Sequence, residues 1–116
     1  MKGTMLTYTS EGGLIVRPID KVPDAETIHH ALGDDMEPVP HFVTIDHGDK
    51  TYACVAFCGE HGKMKVPPIP INYRATLQWE RSLRRQNMTL FNPDMDDHLV
   101  GPVVVIFGDN ELMEKL

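Results

Sequence analysis

The sequence predicts an α+β domain on a mainly antiparallel sheet of about five strands, in the order β-β-α-β-β-α-β with one short and one longer helix. Three observations lead there. Two pairs of β-prone runs are each joined by a short polar turn, at residues 10–13 and 46–49. Residues 73–87 carry apolar side chains on a helical arc behind a good N-cap, Asn72. Residues 103–107 form an unbroken, β-branched apolar run, the mark of a central strand covered on both faces.

Residues 4–9 read as the first strand, and Ser10-Glu11-Gly12-Gly13 turns the chain into a second at residues 14–19. Residues 20–24 carry helix-start chemistry, with Pro23 in the first turn and Asp24 and Glu26 at the positive end of the dipole. Ile28 and Leu32 share one face four residues apart, and Gly33 can end the helix. Residues 39–45 are expected to form a strand whose start Pro38 and Pro40 confine to an edge or a bulge. Asp46-His47-Gly48-Asp49 turns into a returning strand at residues 50–57, making a second hairpin. Between the hairpin and the long helix, Glu60-His61-Gly62-Lys63 reads as a tight turn and Val66-Pro67-Pro68-Ile69-Pro70-Ile71 as a stiff extended segment. In the helix, Ala75, Leu77, Trp79 and Leu83 occupy the apolar arc, and Arg74, Gln78, Arg81 and Arg85 project together on the opposite face. Residues 91–97 read as a loop with Asn92-Pro93 turn chemistry, and residues 110–116 as a loose tail or a short terminal helix.

The 116 residues suit one domain of about the commonest size, with 41% hydrophobic and 24% charged residues placing it among globular chains. A net charge of −6 argues against broad binding to a phosphate backbone, so nucleic acid is not the expected partner. No run approaches the roughly 20 apolar residues of a membrane span, and no basic-then-apolar leader opens the chain, so the expected location is the cytoplasm.

Cys54 and Cys58 fall on one face of an extended strand, about 13 Å apart and beyond the roughly 7 Å reach of a disulfide. Cys58 and His61 have C-x2-H spacing and His47 is a third donor, yet the second half of a zinc motif is missing, so the expected state is two thiols and no metal. Asp94, Asp96, Asp97 and His98 offer hard donors outside any EF-hand spacing and are expected to be a solvated loop. His29, His30, His41, His47 and His61 suit acid–base work by type, but no nucleophile and carboxylate frame them; Gly12-Gly13 precedes a strand and is no phosphate loop. No catalytic residue and no cofactor is therefore expected. Met88, Met95 and Met113 fall in or near less regular segments and can supply an adaptable contact surface or fill the core.

Several short boxes resemble one family. Glu60-His61-Gly62-Lys63, Pro67-Pro68, Asn72-Tyr73-Arg74-Ala75-Thr76 and the closing run from Asp97 through Leu99-Val100-Gly101-Pro102 to Val105 are similar, in order, to motifs of small phage, plasmid and actinobacterial proteins catalogued only as a domain of unknown function. Ile19-Asp20, Ile28 to Gly33 and Val39-Pro40 match as well, so the resemblance spans roughly residues 14–108. The proline segment is longer than the family's, and Trp79 to Asn92 looks like an insertion. The resemblance implies a phage or mobile-element origin and no established activity.

Two functions follow as expectations. The first is a non-enzymatic accessory protein that binds a host protein, in the host cytoplasm, and blocks it, with the acidic balance contributing. The second is a binder that sequesters a nucleotide or another phosphate-bearing ligand, with Arg74, Arg81 and Arg85 (and Arg84) on phosphates, Tyr73 and Trp79 stacking on the base, and Asn72 at the mouth of the helix. Both readings include a homodimer through an exposed edge strand or helix face.

Overall fold

The computed structural model describes residues 1–88 and 98–116. The expected aspartate loop, with Met95, falls outside these residues except for His98. The fold is α+β. Gly3–Tyr8 (β1) and Leu14–Ile19 (β2) form the opening hairpin, and Ala25–Leu32 (α1) follows. Met36–Pro38 (β3), Thr44–His47 (β4), Lys50–Ala53 (β5) and Val55–Gly59 (β6) come next, then Tyr73–Arg85 (α2), Val103–Gly108 (β7) and Asn110–Met113 (α3). Five strands form one sheet in the order β2-β1-β7-β6-β3, every neighbour antiparallel, and β4 and β5 pair in a separate ribbon.

β7 sits at the centre, and its alternation divides the core in two. Val103, Val105 and Phe107 face one side with Leu6, Tyr8, Ala56, Phe42, Ile45 and the buried side of α2. Val104 and Ile106 face the other, under Ile28 and Leu32 of α1 and Leu112 of α3. Gly33 closes α1 as expected, at φ 67°, a left-handed conformation that glycine adopts without Cβ strain, but the helix begins later than its start chemistry suggests: Pro23 precedes it, and Asp24 is the N-cap, its carboxylate accepting the Thr27 N–H at 2.8 Å. The tail folds as a helix, with Asp109 capping the Leu112 N–H at 3.0 Å.

Two expected strands are differently divided. Residues 39–43, read as the start of a strand, lie outside any. Pro40 has no N–H to donate, His41 takes φ 61°, and the Val39 N–H makes the last bond to β6, to the Ala56 carbonyl at 2.9 Å. Residues 50–57, read as one strand, break at Cys54. The Cys54 N–H still bonds to Val43 across the ribbon at 2.9 Å, and from Val55 onward the chain pairs with β7 in the main sheet. Side-chain alternation survives the break: Tyr52, Cys54, Ala56 and Cys58 all face the α2 side of the core and Phe57 faces the other.

Candidate functional site

The polar stripe of α2 closes the outer edge of β4. A strand edge presents unpaired N–H and C=O groups, and here side chains four residues apart on the helix take the place of a neighbouring strand. The Gln78 side-chain carbonyl accepts the Asp46 N–H at 3.1 Å. The fully buried Ser82 hydroxyl accepts from the Val43 and Thr44 N–H groups at 3.0 and 3.1 Å and donates to the His41 carbonyl at 3.2 Å. Trp79 donates its indole N–H to the Pro40 carbonyl at 2.9 Å, and the Gln86 amide donates to His41 at 2.8 Å.

Arg85 completes the seam. Its guanidinium donates to Thr44 Oγ1 at 3.0 Å and to both carboxylate oxygens of Asp46 at 2.7 and 2.8 Å, while Arg81 approaches the same carboxylate at 3.7 Å. The Thr51 hydroxyl, donating at 2.6 Å, and then Arg85 hold the Asp46 carboxyl below its ordinary range.

The six sequence-predicted ligand residues thus divide. Arg81 and Arg85 meet on Asp46, so this part of the arginine face, expected to lie opposite the packed arc, contacts the ribbon. Asn72 is buried: its carbonyl caps the Ala75 N–H at 3.1 Å, and its amide donates to the Tyr8 and Gly101 carbonyls at 3.0 and 2.8 Å. Trp79 is buried beside Pro40, and Ser82 joins the packed arc where Leu77, expected there, is 47% exposed. Tyr73 and Arg74 remain open in the first turn, with the Arg74 guanidinium 5.7 Å from the centre of the Tyr8 ring. Arg84 pairs with Glu80 one turn back.

The donors weighed for zinc are not gathered. His47 lies against Phe107 with ring centres 5.8 Å apart, whereas the His61 ring meets the Asp34 carboxylate at 3.1 Å. Among the described residues, Asp34, Asp35 and His61 place potential ligand atoms within 4.8 Å of one another. The Asp34 carboxylate in that group already has partners: hydrogen bonds from the His61 ring and backbone hold its carboxyl at about 2, Lys65 stands 4.0 Å away, and Asp34 in turn raises the imidazole. Cys54 and Cys58 form no disulfide, and burial pushes the Cys54 thiol up to about 12.

A cleft of about 310 Å³ opens where β3, β6 and α2 converge, and Glu37, Cys58, Glu60, Trp79 and His98 line it, with Met64 at its lip. Sequence reading missed this site because its walls come from segments more than sixty residues apart along the chain. From Met64 at this lip to Leu77 on α2 the chain presents large apolar side chains to solvent: Met64 is 75% exposed, Val66 93%, Tyr73 76% and Leu77 47%. Comparison with family models, with curated proteins and with solved structures finds no match.

Proposed function

We propose that the chain is a non-enzymatic accessory protein, of phage or mobile-element type, that acts by binding a host protein through the surface between Met64 and Leu77. The observation that carries this reading is the exposure of Met64, Val66, Tyr73 and Leu77 within fourteen residues of one another in sequence. Exposed apolar groups gathered on one segment favour a protein contact, and Tyr and Met are enriched at the anchor positions of such contacts. The prolines 67, 68 and 70 restrict the free segment, so less conformational entropy is lost when a partner docks. The adjoining cleft has room for one anchoring side chain, and its carboxylates Glu37 and Glu60 favour a partner basic at its rim.

The phosphate-binding alternative is less favoured by this geometry. A ligand reaching Arg81 and Arg85 has to displace the Asp46 carboxylate, which Arg85 grips with two bonds and Thr51 with a third.

The test is native mass spectrometry of the purified protein after incubation with a host lysate and, separately, with its small-molecule extract. The protein-binding reading expects a stoichiometric protein complex that disappears with the Met64→Ser/Tyr73→Ser double variant and persists with Arg81→Ala/Arg85→Ala. A captured small molecule lost on replacing the two arginines would reverse the choice.

A further inference from the structure

We infer that the cleft where β3, β6 and α2 converge receives an arginine side chain of the partner protein, its guanidinium held between the Glu37 and Glu60 carboxylates. The inference rests on the host-protein reading and names the group by which the partner anchors. Met64, 75% exposed on the proposed contact surface, also forms the lip of the cleft, so the two are continuous.

The ladder places the two carboxylates. Glu37 is opposite Cys58 in the β3–β6 register, and the Glu60 N–H bonds to the Asp35 carbonyl at 2.8 Å, so the pairing continues one residue past the end of β6. Glu60 is thus the diagonal neighbour of Glu37, and such neighbours stand about 7–8 Å apart along one face of a ladder. Both line the cleft and both are exposed. One guanidinium is within reach of the two flexible side chains together. Among the described residues neither makes a salt bridge; the cations of the adjoining turn, His61 and Lys65, make theirs with Asp34.

The remaining walls are largely apolar and already fixed. Pro38, Val39 and Leu99 supply them, with the Trp79 indole alongside. The indole N–H donates to the Pro40 carbonyl at 2.9 Å and the Val39 N–H to the Ala56 carbonyl at 2.9 Å, so ring and wall are held before anything binds. At about 310 Å³ the cleft lies near the lower end of the roughly 300–1,000 Å³ of small-ligand pockets, which is room for one long side chain.

This lining selects among side chains. An apolar anchor would desolvate the two carboxylates without giving them a partner, and an acidic one would be repelled. A cation reverses both effects. Arginine suits the cleft better than lysine, because its planar guanidinium presents five donors that can serve two carboxylates from different edges, is less strongly hydrated, and packs on an indole face. Its methylene stem covers the apolar wall behind the charge.

The full chain is titrated with N-acetylated, C-amidated Gly-Arg-Gly into the millimolar range, at constant ionic strength and in mildly alkaline buffer, where histidines are ordinarily neutral. The fluorescence of Trp79, the single tryptophan and part of the cleft, is the readout. The arginine peptide should change the emission saturably, and its citrulline counterpart, which keeps the shape and loses the charge, should bind at least about tenfold more weakly. Glu37→Gln/Glu60→Gln should weaken the arginine peptide by a similar factor, whereas Asp20→Asn/Glu26→Gln, which removes two exposed charges elsewhere, should leave it within about twofold. Both double variants should keep the parent's far-ultraviolet circular dichroism spectrum. No saturable change with the arginine peptide, equal binding of the citrulline peptide, or full affinity in Glu37→Gln/Glu60→Gln would each overturn the proposal. A host complex that forms undiminished with Glu37→Gln/Glu60→Gln overturns the arginine pocket alone. Selective binding of the arginine peptide with no complex from the lysate supports the pocket and refutes the host-protein reading alone.

Discussion

Ser82→Ala tests whether side chains of α2 stand in for a strand beside β4. The hydroxyl is fully buried, and its removal withdraws an acceptor from the Val43 and Thr44 N–H groups and a donor from the His41 carbonyl. The three losses are unequal. His41 keeps the Gln86 amide at 2.8 Å, and Val43 is 44% exposed, so water can reach its N–H. Thr44 loses most, with only Arg85 nearby on its side chain. An unsatisfied buried donor costs about 1–3 kcal/mol, and one full loss plus part of a second amounts to about 2 kcal/mol. For a chain of 116 residues that corresponds to a fall in Tm of about 8 °C. Urea denaturation followed by the fluorescence of Trp79, the single tryptophan and itself bonded to the seam, reads the change directly. Leu77→Ala on the exposed side of the same helix supplies the comparison, with an expected effect within about 0.5 kcal/mol. A Ser82→Ala loss no larger than that of Leu77→Ala would refute the edge-capping argument.

Two further outcomes are expected. Asn72→Asp should destabilise more than Asn72→Ala, because a carboxylate there faces the buried Tyr8 and Gly101 carbonyls that the amide now serves as a donor; equal melting temperatures of the two variants at neutral pH would contradict it. The Asp34–His61 pair should stabilise the fold in an acidic window. His61, raised from 6.5, contributes fully below that value and loses its contribution as pH rises through the higher folded one; Asp34, lowered from 3.8 to about 2, contributes above 3.8 and loses its share as pH falls towards 2. The difference in Tm between wild type and His61→Ala should therefore be greatest near about pH 5 and shrink in mildly alkaline buffer, and a difference that stays constant across that range would count against the pairing.

Much of this architecture is visible in the sequence wherever the signal is local. The β1–β2 hairpin, the Ile28 and Leu32 stripe ending at Gly33, the helix behind Asn72 and the doubly buried β7 each depend on neighbours in the chain, and each stands where its pattern put it, the helix ending two residues early at Arg85. The departures arise where tertiary partners decide. Nothing near Cys54 announces a change of sheet, because alternation is the same on both sides of it. A left-handed His41 carries no compositional mark either. Arginine side chains at helical spacing look alike whether they meet a ligand or an internal aspartate, and Asp46 lies more than thirty residues from Arg81 and Arg85. Ser82 went unread, although the sequence carries a signal for it: a small polar residue on the same helical stripe as Trp79 and Leu83 calls for a hydrogen-bond partner once buried.

The junction at Cys54 also constrains how this chain can change length. One phase of side chains runs from Tyr52 through Cys58 although the two halves belong to different sheets. A single residue inserted there would turn Phe57 towards α2 and send Ala56 and Cys58 beneath α1, exchanging the contents of the two cores. Two inserted residues would restore the phase and leave only a bulge to accommodate. The tip at Gly48 lies beyond both cores and is exposed, so loops of either parity can be added there. Tolerance of length change along residues 44–59 is thus set by odd and even count at one point and is unrestricted at another.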